Sequence, residues 1–272
     1  MSELEDAKKA AVITYNAASD FYDHPANTFW ARYGRRTVER LKLAPGERVL
    51  DVCCGSGASA IPAAEIVGAT GSVVGVDLAQ NLLELAEAKA TKRGLTNVRF
   101  QSGDLMRLPF EAASFDTVVC VFGIFFVPDM EAALGEITRV VRSGGRVAIT
   151  TWGPRFFEPA SSVFWNSIRE VRPDLYKSFN PWDRISEVDA VLELLAAVGL
   201  SQMEVVAEGD TQAVNTPEDW WAMIMGSGYR GTVEQLSADD RERVRTANLD
   251  FIHRSSLRQL EANVIYASAV RS

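Results

Sequence analysis

The chain has 272 residues, 47% of them hydrophobic, with 28 basic and 36 acidic side chains giving a formal net charge of -8. That length can bury one large core, and an acidic balance without a basic stripe excludes nucleic acid as a partner, because Lys and Arg supply most phosphate affinity. The charged start MSELEDAKKA has no signal-peptide core and no apolar run is long enough to span a bilayer, so a cytoplasmic protein without stable membrane insertion is expected.

Residues 7–41 predict two helices, the second carrying Phe29, Trp30, Tyr33, Thr37, Val38 and Leu41 at helical spacing, with a break at 21–27 (FYDHPAN) around Pro25. After the turn at 44–47 comes RVLDVCCGSGASAI, residues 48–61. It reads as a buried strand, a small-residue turn and the first turn of a helix. Val49, Leu50 and Val52 surround Asp51, and Gly55 and Gly57 let the backbone approach a ligand closely where the following helix presents free N–H groups. A helix over 58–67 leads to a second apolar strand, 72–77, ending in Asp77. The helix over 81–93 is stopped by Gly94, and a third strand over 97–101 precedes Gly103, Asp104 and Leu105. The fourth strand, 115–121, is nearly all apolar, as expected of a sheet covered on both faces. Asp129 caps a helix with Ala133, Leu134, Ile137, Val140 and Val141 on its buried stripe, ending at the turn 143–145, and a fifth strand follows over 146–151.

From 152 to 183 aromatics gather without clear helix boundaries. A helix over 186–198 and strands over 203–207 and 263–270 complete the pattern, with helices started by Thr216 and by Ser237 inserted between the last two strands. The alternation predicts an α/β fold, a doubly wound, seven-stranded, mostly parallel sheet with an N-terminal helical cap and a helical insertion before the last strand. We expect one domain over 1–272: cap 1–44, cofactor core 45–151, and acceptor-side segments 152–185 and 209–260. Ligands of such sheets bind beyond the carboxyl ends of the strands, where Asp51, Asp77 and Asp104 all fall. Residues 55–60 also fit a dinucleotide fingerprint, G-x-G-x-x-A, with Asp77 at the ribose-binding place. Asp51 argues for a ligand carrying an ammonium, since a carboxylate beside the turn repels a pyrophosphate.

With these residues in view, the chain resembles the class I S-adenosylmethionine-dependent methyltransferases, a Rossmann-like fold. VLDVCCGSG is similar to that family's glycine-rich motif, VVGVDLA to its ribose motif and SGDLMRLPF to its adenine motif. FDTVVCVFGIFFVPD followed by LGEITRVVRSGGR resembles the ubiquinone/menaquinone C-methyltransferase branch. The match covers roughly residues 45–151. It departs at Cys53, which stands where the family has its first glycine and is expected to narrow the turn. The resemblance implies S-adenosyl-L-methionine as cofactor and a small-molecule acceptor. It places Asp51 at the methionine end, with Gly55 and Gly57 beneath it, and Asp77 on the ribose hydroxyls. Leu78 and Leu105 fall against the adenine, Asp104 on its amine, and Val121 and Phe122 near the sulfonium.

No metal is expected: Cys53, Cys54 and Cys120 lack zinc spacing and suit reduced thiols. A base is required only if the acceptor arrives protonated. His24 and His253 are the two histidines, and position alone assigns neither a catalytic role. Tyr22, Phe29 and Trp30, the segment 156–165, and Trp220 and Trp221 are candidates for an apolar acceptor wall, or for core that fastens helices to the sheet. Two alternatives to a methyltransferase stay open: a non-catalytic module that binds the cofactor, and an NAD(P)-dependent oxidoreductase, against which Asp51 and the Gly103-Asp104 pair speak.

Overall fold

The computed structural model describes residues 3–272; Met1 and Ser2, the first two residues of the expected cap, lie outside the described residues. Five strands run parallel: β1 (Arg48–Val52), β2 (Ser72–Asp77), β3 (Val98–Ser102), β4 (Phe115–Val121) and β5 (Val141–Trp152). With β6 (Leu200–Glu208), the short β7 (Thr211–Ala213) and β8 (Gln259–Glu261), and β9 (Val264–Arg271), the strands number nine among the described residues. Seven of them form one sheet in the order β3-β2-β1-β4-β5-β9-β6, with β9 antiparallel to both neighbours. The expected seven-stranded sheet is therefore present, and its reversed last strand slots between β5 and β6.

The helices are α1 (Glu3–Tyr22), α2 (Thr28–Leu41), α3 (Ala60–Val67), α4 (Gln80–Lys92), α5 (Met130–Val140), α6 (Ala160–Val171), α7 (Val188–Ala197), α8 (Pro217–Met225), the one-turn α9 (Arg230–Val233) and α10 (Ala238–Ser255). Side chains alternate across a strand, and that alternation builds two cores. Val49, Val73, Val119 and Ala148 join Val38 and Leu41 of α2 and the alanines of α3 on one face. Leu50, Val74, Val118 and Val147 join Leu134 and Ile137 of α5 and Val191 and Leu195 of α7 on the other.

Two differences from expectation have local causes. The turn expected at 143–145 is a bulge inside β5: the strand starts at Val141, directly after α5, its pairing with β4 shifts register between Phe115 and Thr117, and Gly144 takes φ +69. β7 and β8 pair with each other outside the main sheet; three-residue strands far apart in the chain carry no alternation to announce them. In the stretch with unclear boundaries, α6 packs on α10. Asn248 of α10, buried, accepts from Trp220 Nε1 at 2.9 Å and donates to Ser167 Oγ at 3.1 Å, which fastens α8, α10 and α6 together.

At the bulge, Asp116 ties three strands. It accepts from the Arg48 N–H at 2.8 Å, from Arg48 Nε at 3.2 Å and from Arg142 Nε at 2.7 Å. Partial burial disfavours its charge, but the Arg48 side chain and N–H, with Arg142, outweigh burial and hold the carboxyl well below its ordinary range. A folded-state pKa lowered in this way contributes stability above the unfolded value near 4, and loses it as the pH falls through the folded one. Asp116→Asn should cost about 1–2 kcal/mol at pH 7, with the gap to wild type closing below about pH 4. Chemical denaturation at the two pH values measures it; an unchanged gap would show that the carboxylate charge is not what ties the strands.

Candidate functional site

The turn after β1 is held by backbone geometry that few residues adopt. Cys53, Gly55 and Gly57 have φ +58, +51 and +82. Cys54 N donates to Val76 O at 3.0 Å and Gly57 N to Cys54 O at 2.9 Å. Gly55 N donates to Asp77 Oδ2 at 2.8 Å, while Asp77 Oδ1 accepts from Ala79 N at 2.9 Å. Burial raises the Asp77 pKa against these donors. A Cβ on Gly55 would sit 2.8 Å from the Tyr22 hydroxyl, so glycine is required there twice over.

Above the turn lies a cleft of about 780 Å³, its solvent mouth included. The structure brings Gly55, Asp77, Leu78, Asp104, Leu105, Val121 and Phe122 together along it. Two residues expected at the ligand, Asp51 and Gly57, are not among those lining it. Gly57 faces Ile61 and Ala86. Asp51 is fully buried behind the turn, where its Oδ2 accepts from Ser59 Oγ at 2.7 Å and its Oδ1 has no hydrogen-bond partner in the protein. Burial outweighs the Ser59 hydroxyl and pushes this carboxyl up to about 7.

Cys53 fits where glycine was expected because the residue facing it is small. A Cβ on Gly123 would lie 2.4 Å from the Cys53 Cβ and 2.8 Å from its Sγ. The turn keeps its left-handed conformation, and Gly123 makes the room.

One wall of the cleft is α1, whose Ala7, Lys8, Ala11, Val12 and Tyr15 face it. Lys8 Nζ lies 2.7 Å from Asp104 Oδ2, and Asp104 Oδ1 accepts from Met106 N at 2.9 Å. Asn81 donates to Asn16 twice, through its N–H and its Nδ2, docking α1 on α4. Asp23, Ser56 and Lys89 form a hydrogen-bonded cluster between the 23–27 loop, the glycine turn and α4. Lys8, Tyr15, Gly123, Phe126 and Val127 also line the cleft, beyond the residues expected there. For the last three the available signal was the segment FGIFFVPD, matched to the family but given no role beyond Phe122. Arg184 clamps that segment by donating to the carbonyls of Phe125, Val127 and Pro128 at 2.6–2.8 Å.

The aromatic candidates divide. Tyr22 stacks on Trp30 with centroids 4.9 Å apart, and both line the cleft. Phe122 stacks on Trp152 at 3.7 Å, and Phe156 on Trp152 at 4.0 Å. Behind them Phe29, Phe157, Phe164 and Trp220 are fully buried core. His24 is exposed and accepts from Ala26 N, and His253 is exposed on α10; neither is among the cleft residues.

Comparison with known proteins is decisive on family. The model of the ubiE/COQ5 methyltransferase family matches residues 13–177. The chain belongs to that family. Aklanonic acid methyltransferase DauC of a Streptomyces species is 34% identical over 199 residues, covering 68% of this chain and 90% of that protein. Demethylmenaquinone methyltransferase of Geobacillus kaustophilus is 43% identical over 180 residues, covering 62% and 76%. The fold is similar to that of YcgJ from Bacillus subtilis, at 19% identity with a TM-score of 0.58, covering 88% of this chain and 98% of that one. The protein is by family an S-adenosylmethionine-dependent methyltransferase, and the oxidoreductase alternative falls away.

In this methyltransferase the turn gives two tests. Gly123→Ala should destabilise the protein by about 1–3 kcal/mol through overpacking, and adding Cys53→Gly should restore most of that loss. Thermal melts of the two variants decide it: no recovery in the double variant would place the strain elsewhere. For Asp51, a folded-state pKa raised from 3.8 to about 7 means the native state holds the extra proton across that window, so stability falls as pH rises through it. Asp51→Asn should flatten that slope, gaining Tm on wild type between pH 5 and pH 8; parallel melting curves would show that Asp51 does not titrate there.

Proposed function

We propose that this cleft binds S-adenosyl-L-methionine and that the enzyme methylates a small, apolar or aromatic organic acceptor. The observation that carries this is the pairing of Asp77 and Asp104, on successive strand ends, in one cleft floored by a glycine turn. The residues suit the group. Asp77 spends part of its acceptor capacity on the N–H groups of Gly55 and Ala79, and its remaining lone pairs suit a ribose diol. Asp104 offers Oδ2 to the adenine amine in place of Lys8. Leu78 and Leu105 supply apolar contact for the base, Gly55 lies beneath the methionine part, and Val121 and Phe122 flank the sulfonium. Asp51, set behind the turn, has a buried acceptor atom without a partner, which suits an ammonium or a water bound to one.

The cofactor supplies an electrophilic methyl group on a sulfonium. What the chain has to contribute is alignment, which supplies on the order of 7–11 kcal/mol when reactants are held in line, and exclusion of water. The stack of Tyr22 on Trp30 and of Phe122 on Trp152 makes that end of the cleft apolar. Relatives named for demethylmenaquinone and aklanonic acid methylation support a small-molecule acceptor. One continuous sheet spanning 48–271 supports a single domain, with 1–44 as a helical cap, 45–151 as the cofactor core and 152–185 and 209–260 on the acceptor side. No described helix is long and apolar enough to cross a membrane, and the net charge of -8 supports a cytoplasmic enzyme that does not bind nucleic acid.

Incubation with methyl-labelled cofactor and a panel of quinols and aromatic polyketides tests the activity. Labelled product should form together with an equal amount of S-adenosylhomocysteine. Tight cofactor binding with no transfer to any acceptor would instead favour a binding module. Asp77→Ala should weaken S-adenosylhomocysteine about 10–100-fold, from the loss of charge-assisted bonds worth about 1.5–3 kcal/mol; an unchanged Kd in calorimetry would remove Asp77 from the ribose. Lys8→Met, which frees Asp104, should tighten binding up to about fivefold, the worth of a surface ion pair. Weaker binding in that variant would mean Lys8 contributes to the site.

A further inference from the structure

A second cleft lies on the other side of α1 from the cofactor cleft, and the two share Ala7, Ala11, Tyr15 and Phe126 as a common wall. The rings of Tyr15 and Phe126 meet edge to face with centroids 5.5 Å apart. Beyond them the second cleft is aromatic, with Trp165, Trp182 and Tyr229, and no Asp or Glu is among its lining residues; Lys177 is the one charged residue there. Lys177 Nζ lies 5.8 Å from the centre of the Trp165 ring, and among the described residues no carboxylate pairs with it. In a chain with eight more acidic than basic groups, that is an unusual place for an unpaired cation. Lys177 is exposed at the rim, yet desolvation by the surrounding walls lowers its pKa, and no neighbouring acid raises it again. Trp165 is only 8% exposed, and its Nε1 is buried without a hydrogen-bond acceptor. A buried N–H costs free energy until it finds a partner, and an unpaired ammonium beside an indole at the rim of an apolar cleft is placed to meet an anion.

We infer that this cleft takes the acceptor, and that the acceptor is a flat aromatic molecule bearing an anionic oxygen group, which Lys177 binds at the rim while the ring lies among Trp165, Trp182 and Tyr229. The anion has two sources, a carboxylate or an ionised phenol, and Lys177 recognises the charge common to both. Tyr15 and Phe126 stand between the clefts, so they govern whether the acceptor meets the methyl group. Tyr15 serves there as an uncharged wall, since burial first, with Asp77 and Cys53 nearby, raises its hydroxyl pKa. The inference rests on the cofactor assignment of the first cleft, and its test is built to fail separately from it.

Three probes serve: 2-naphthoate, the neutral 2-naphthamide, and 2,4-dinitro-1-naphtholate, an ionised phenol. Their affinities are measured by calorimetry on the full chain, with and without saturating S-adenosylhomocysteine. Wild type should bind at least one of the two anions about tenfold more tightly than the amide. Whichever anion binds the tighter names the source of the charge. Lys177→Met should bring that anion and the amide within about twofold, Lys177→Arg should keep the preference, and both variants should bind S-adenosylhomocysteine as wild type does, which shows that they fold. No anion preference in wild type, or a preference that survives Lys177→Met, overturns the inference. Failure of wild type to bind S-adenosylhomocysteine would overturn the cofactor assignment, while the charge preference measured without it would still decide the role of Lys177.

Discussion

The bond from the Gly55 N–H to the Asp77 carboxylate, 2.8 Å long, is the constraint on which the rest of the site depends. It ties the turn after β1 to the end of β2 and fixes which face of the turn looks into the cleft. Together with the main-chain bonds from Cys54 to Val76 and from Gly57 to Cys54, it holds the three left-handed residues of the turn, of which Cys53 in particular occupies a conformation that costs an L-residue energy. A charge-assisted bond of this kind contributes about 1.5–3 kcal/mol, and the desolvation that raises the Asp77 pKa offsets part of it. The same carboxylate therefore shapes the turn and presents acceptor atoms beside it. Tyr22 then packs against Gly55, and Gly123 leaves space for Cys53; both contacts presuppose the turn in this one conformation.

Floor and wall of the cleft are built to different strengths. The floor is main-chain bonding between parallel strands whose side chains are buried on two faces. The wall is α1, packed on α4, α8 and α9 with Ala18 and Tyr22 buried and tied at the surface by the Lys8–Asp104 pair and the Asn16–Asn81 bonds. Contacts of that kind contribute on the order of 1 kcal/mol or less each. The second cleft shares that wall through Tyr15 and Phe126.

Much of this was legible in the chain. The seven strands of the main sheet and the acids at two of their ends, Asp77 closing β2 and Asp104 just past β3, follow from local periodicity and turn chemistry, which a strand–turn–helix unit carries within about 30 residues. Asp51 shows what the strand end leaves to the tertiary structure. It shares strand parity with Val49, and Val49 packs on the α2–α3 face, so the Asp51 side chain meets Ser59 at the start of α3, behind the turn. The alternation of β1 already contained that placement. The bulge at Gly144 was hidden, because a Ser-Gly-Gly run is equally suited to a turn between elements and to a bulge within a strand.

The sequence by itself determined the fold class, the family resemblance and the set of residues at the strand ends, because each rests on interactions between near neighbours in the chain. Only the tertiary structure decided which of those residues face the cleft, that α1 closes it through Lys8 and Tyr15, and that Lys177 stands unpaired over Trp165. Those facts depend on surfaces assembled from residues 7–15, 126, 165–182 and 228–229, segments with no short-range pattern in common. They are brought together only because the sheet and its insertion pack in one particular way.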